Sequence, residues 1–209
     1  MPKELPDISY GDDKHNPYVD SDNSMYMIPF YKPDEYFNSL EAYNNFISGV
    51  ERIVRSSDRY SKYKSYLMNE IKLDHCQVLK DVTEEDCEIE LHHGPIFTLY
   101  DICAIILEYY RLRGWKITTF RIADTVLKEH ELNHVNCVML SASAHEQVHN
   151  RNIFINLKQA WGDINAFIDK YHDAISPEYR MKYNMYIDSS ILRESEDYGT
   201  FDLNPLLLQ

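Results

Sequence analysis

NCVMLSASAHEQVHN, residues 136–150, joins a short apolar run to a segment in which His145 and His149 stand four positions apart. The run NCVMLS (136–141) reads as a strand, and 143–150 as a helix. Side chains four apart on a helix share one face, so both imidazoles can grip one ion. Working outward toward the N-terminus, CEIELHHGP (87–95) alternates apolar and polar residues and ends in the dyad His92-His93. Neighbours in an extended segment point to opposite faces. One histidine of the dyad therefore faces the metal, and the other is left free for acid-base work. Three neutral imidazoles and one more polar group, here Asn136, are a donor set suited to zinc or a transition metal.

The order of these pieces, a strand ending in two histidines, an Asn opening a second strand, then a helix with H-x-x-x-H, resembles the HNH, or ββα-metal, endonuclease family. There a hairpin and one helix clamp a single divalent ion. The resemblance implies that His92, His145 and His149 are metal ligands, that His93 is the general base activating water, and that Asn136 orients the site. Asn133 competes for the Asn role, and His134 is a further possible ligand. The implied reaction is metal-dependent hydrolysis of a DNA phosphodiester, with Zn, Mg, Mn or Ni all open as the ion. Histidine suits the base role because its unperturbed pKa lies near neutrality. Residues 94–135 stand between His93 and Asn136, so the resemblance places an insertion inside the ββα unit, and no Cys-x-x-Cys knuckle accompanies it.

A wider pattern, VRSSDRYSKY, then IELHHGP and FTLYDI, then H-x-x-x-H followed by FIN, is similar to HNH-like proteins of tailed bacteriophages over about 40–185. That implies work in the cytoplasm of an infected bacterium. The alternative is a catalytically inactive HNH-fold subunit of phage machinery for packaging, replication or transcription, acting through protein partners.

The expected fold is α+β and mostly helical: a ββα-metal core with a helical-hairpin insertion and flanking helices. Residues 1–33, rich in Asp, Asn, Pro and Tyr, read as an extended acidic arm. Residues 34–188 form one HNH-like domain with the insertion at 97–132, and 189–209 a flexible tail. Helices are expected near 34–56 and 58–71, the second capped by Ser57. TLYDICAIILEYYRLRGW carries helical periodicity between Thr98 and Gly114, and TTFRIADTVLKEH forms the next helix with Thr119 as cap. Two helices joined by a turn containing Gly also resemble a helix-turn-helix, with Phe120, Ile122 and Val126 packed inside. NIFINL reads as extended, LKQAWGDINAFIDKYHDAI as one helix, and Ser176-Pro177 as the start of a last helix to about Tyr186.

The chain is 209 residues long with a net charge of −13. Duplex DNA is gripped through phosphates by Lys and Arg, so this balance opposes a free-standing DNA enzyme. The charge is unevenly spread: residues 1–50 hold three basic and nine acidic side chains. Behind them Arg52, Arg55, Arg59 and Lys62 recur at helical spacing, and Arg111, Arg113 and Arg121 cluster in the insertion. Both stripes are candidate DNA contacts; the alternative is a solvated helix face. Four cysteines without paired spacing fit a reducing compartment. No apolar run reaches the roughly 18 residues of a membrane span. The acidic arm, with Tyr10, Tyr18, Tyr26, Met27 and Ile28, and the tail, with Phe201, Leu203 and Leu206 to Leu208, resemble docking peptides for a phage or host protein.

Overall fold

The computed structural model describes residues 39–79, 81–150 and 152–193. The expected arm at 1–33 and most of the tail lie outside them. Among the described residues the fold is α+β and mostly helical, with seven α-helices and one two-stranded antiparallel sheet.

Short-range signals place most helix ends. Helix α1 (Leu40–Arg55) is capped by Ser39 and buries Phe46, Ile47, Val50, Ile53 and Val54, a stripe at helical spacing. Ser57 caps α2 (Asp58–Asn69) by accepting from the Tyr60 N–H. Helix α3 (Leu99–Leu112) starts with a reciprocal capping box between Thr98 and Asp101. Its residues from Leu99 to Leu107 are buried except Tyr100, which packs on the core's edge. Gly114 follows with φ +61, the left-handed geometry in which Gly pays no Cβ penalty. Helix α4 (Thr119–Glu131) returns beside α3, and its cap is Thr118 rather than Thr119. The insertion is thus a helical hairpin packed on α1. Phe120, expected inside, is exposed, whereas Ile122 and Val126 are fully buried.

Strands β1 (Ile89–His93) and β2 (Cys137–Ser141) pair antiparallel, with Ile89 opposite Ser141, His92 opposite Val138 and His93 opposite Cys137. Ile89, Leu91 and His93 turn into the core, while Glu90 and His92 take the other face. The far edge of β2 is covered: Gln77 N–H donates to Met139 O (2.8 Å), and Cys137 and Trp161 exchange two backbone hydrogen bonds. Ser141 then caps α5 (Ala142–His149), which lies against both strands.

The segment expected as one helix from 157 to 175 is broken. A 3₁₀ turn (Leu157–Gln159) is followed by Trp161-Gly162 and then α6 (Ile164–Tyr171), capped by Asp163. Gly162 has φ +108, and a Cβ there would sit 2.2 Å from the Val135 carbonyl oxygen. Backbone pairing of Trp161 with Cys137 overrode the helical periodicity. The last helix, α7 (Pro177–Leu192), starts at Ser176-Pro177 as expected but runs past Tyr186 into the expected tail. No helix among the described residues is long and apolar enough to cross a membrane.

Candidate metal centre

The strand alternation delivers His92 to the α5 side of the sheet, and α5 brings His145 and His149 to meet it. One nitrogen from each of the three imidazoles lies within 4.8 Å of the others. The His145 and His149 Nε2 atoms are 3.0 Å apart, and the His92 ring sits edge-on at 5.0 Å from His145 and 5.2 Å from His149. His92 and His145 are half-buried and His149 is exposed, so the cluster opens to solvent on one side. Burial, then the proximity of His145 and His149, pushes the His92 pKa down to about 4, so its lone pair is available at neutral pH.

Glu90 precedes His92 by two residues and shares its face of β1. Its carboxylate pairs with His145 Nδ1. With Nδ1–H donated to Glu90, Nε2 of His145 turns toward His149, an arrangement of the kind that fixes the tautomer of metal-binding histidines. Glu90 was not among the expected site residues, although the i, i+2 spacing in EIELHH was its signal. Gly94 makes room for the site: a Cβ there would lie 3.0 Å from His92 Nε2.

His93 is placed differently from expectation. It is not free for acid-base work but 5% exposed, with its Nε2 2.9 Å from His130 Nε2 and its ring stacked near Tyr60. The same alternation that sends His92 outward sends His93 into the core. Burial drives its pKa well below the usual histidine range. A base that takes a proton from water at the His92 cluster does not fit this position.

Asn136 is buried and donates from Nδ2 to Gly162 O at 2.9 Å, while its backbone carbonyl accepts from the Gly94 N–H at 3.2 Å. It therefore ties the turn after β1 to the loop before α6 and does not itself reach the three imidazoles. Asn133 instead accepts from Trp161 Nε1, and His134 pairs with Glu129, so neither reaches the cluster.

Compared with known proteins, the chain matches the family described as Bacteriophage G278-like virion protein over residues 7–201. The chain belongs to that family. No curated protein and no solved structure matches it.

Arg59 is held by Glu131 through two 2.7 Å bonds and by Asp124 through a third. Arg111 is paired with Glu108, Arg113 with Asp173 and, loosely at 3.9 Å, Arg55 with Glu51. Arg113 also lies over the Tyr109 ring at 3.3 Å. Arg52, Lys62 and Arg121 stay exposed. Four of the seven stripe residues, Arg55, Arg59, Arg111 and Arg113, are thus paired with acidic side chains; the partners of Arg55 and Arg111 lie within one helical turn, whereas those of Arg59 and Arg113 lie far away in sequence. Lys128 is paired with Asp124 as well.

Proposed function

We propose that this protein is a metal-dependent nuclease of the phage particle, with an HNH-like ββα centre that acts on DNA phosphodiesters. The observation that carries the reading is the convergence of His92 from β1 with His145 and His149 from α5, backed by Glu90. Two strands and the following helix meeting at three imidazoles and a supporting carboxylate fit a divalent ion of the Zn, Ni or Mn type better than an oxygen-only magnesium site. When bound, such an ion supplies Lewis-acid stabilisation of a phosphate oxygen and acidifies water. His92, His145 and His149 hold it, Glu90 fixes the tautomer of His145, and Asn136 steadies the two flanking turns.

A second reading is an HNH-fold subunit that binds metal without cleaving and acts through protein partners in the particle. Two observations favour it: the burial of His93, which removes the expected base, and the pairing of Arg59, Arg111 and Arg113 with carboxylates. Incubation of supercoiled plasmid with the full chain and Mg, Mn, Ni or Zn separates the two. Nicking that disappears in His145→Ala supports the nuclease. Intact plasmid under every metal, with metal still bound, leaves the non-catalytic subunit as the function.

A further inference from the structure

Behind the sheet, on the face opposite the His92 cluster, a second group of metal-binding side chains converges. His93 from β1, Cys137 from β2 and His130 from α4 place one donor atom each within 4.8 Å of the others, and all three are buried. The register makes His93 and Cys137 direct cross-strand partners on one face, and α4 lays His130 over them. The two histidine rings are perpendicular at 78°, with Nε2 atoms 2.9 Å apart.

We propose that His93, His130 and Cys137 form a buried structural zinc site that ties β1, α4 and β2 together. Three features carry the assignment. His130 Nδ1 is 2.7 Å from the Val126 carbonyl, which only accepts, so Nδ1 holds the proton and Nε2 presents a bare lone pair to the cluster. That is the outer hydrogen bond by which ligating histidines are oriented. The Tyr63 hydroxyl, 5% exposed and beside the Cys137 thiol, lacks a hydrogen-bond partner of good geometry among the described residues. Next to a thiolate it gains a strong acceptor, or serves as fourth donor. Finally, donors of a four-coordinate zinc with nitrogen and sulfur ligands stand about 3.3–3.6 Å apart. Spreading the imidazoles by a few tenths of an ångström brings the two nitrogens, 2.9 Å apart, to that spacing, and the Cys137 sulfur stands within 4.8 Å of both.

Binding releases the Cys137 proton to solvent, and the thiolate offsets one of the ion's two charges. The site differs from the His92 cluster in having a sulfur donor, which gives a spectroscopic handle that the three-imidazole cluster lacks. The full chain produced in cobalt-supplemented medium is expected to show a thiolate-to-cobalt charge-transfer band in the near ultraviolet. The band should persist in the His145→Ala/His149→Ala variant and vanish in Cys137→Ser. As isolated from zinc-replete cells, the double histidine variant should retain one zinc per chain by native mass spectrometry. A wild-type cobalt protein without the band, or a double variant without zinc, overturns the proposal and leaves a plain histidine–histidine hydrogen bond in the core. Should Cys137→Ser fail to fold, Cys87→Ser, which changes the one cysteine outside the buried core, must keep the band. Its loss there would also overturn the assignment.

Discussion

Replacing Glu90 by Gln removes the negative charge behind His145 while preserving a side chain able to accept from Nδ1–H. Loss of an outer partner of a ligating histidine costs roughly 10- to 100-fold in metal affinity. The Glu90 side chain is 36% exposed and that of His145 25%, so solvent screens part of the charge and the effect belongs near the tenfold end. At free metal about 100-fold above the wild-type Kd, binding stabilises the native state by about 2.7 kcal/mol; a tenfold weaker site leaves about 1.4 kcal/mol. For a chain of this size each kcal/mol moves the midpoint by about 2–4 °C. Wild type should therefore gain roughly 5–10 °C on adding Zn or Ni, and Glu90→Gln roughly 3–6 °C, with equal midpoints under chelator. Thermal unfolding with and without metal, paired with calorimetric titration, reads both quantities. An unchanged metal response in Glu90→Gln would refute the relay, and an unchanged response in His145→Ala would refute the site.

Gly94→Ala should weaken metal binding and also cost stability, because its Cβ would press on His92 Nε2 from 3.0 Å and the residue holds φ +156; titration matching wild type would show that the ring has room to yield. Gly162→Ala should cost about 2 kcal/mol or more in chemical denaturation, since the new Cβ meets the Val135 carbonyl oxygen and the residue holds positive φ. His93→Ala should also destabilise the fold, by about 2 kcal/mol or more, because it empties a core position and orphans His130; a variant as stable as wild type would contradict this packing. Glu129 supplies the pH dependence. Burial opposes its ionisation, but hydrogen bonds from Lys170, Tyr171 and His134 outweigh burial and hold the carboxyl below its usual range. Its contribution is therefore full above the unfolded glutamate pKa of about 4.3 and is lost as pH falls through the lower folded value. Glu129→Gln should flatten that acid limb, and an acid limb as steep as wild type would remove Glu129 as its source.

Much of the local architecture was legible because its causes are local. Ser57, Thr98 and Ser176-Pro177 mark helix starts through hydrogen bonds spanning three residues, and the Phe46, Val50, Ile53, Val54 stripe shows its buried face through helical period alone. His145 and His149 share a face for the same reason, and the alternation in EIELHH separates His92 from His93 whatever surrounds the strand. What the alternation cannot say is which face meets the core. That was decided by α4 packing behind the sheet, which buried His93 against His130, a lone histidine in KEHEL with no signal of its own. The break at Trp161-Gly162 arose because β2 needed a partner for its open edge, and backbone hydrogen bonds there outweighed helical periodicity. The pairing of Arg59 was hidden for a similar reason: it meets Asp124 and Glu131 only once α2 lies on α4. The sequence by itself thus determined most helix starts, the strand alternation and the shared face of His145 and His149, all set within one or two turns of chain. Register, facing and charge pairing depend on contacts between residues tens of positions apart, and only the tertiary structure decided those.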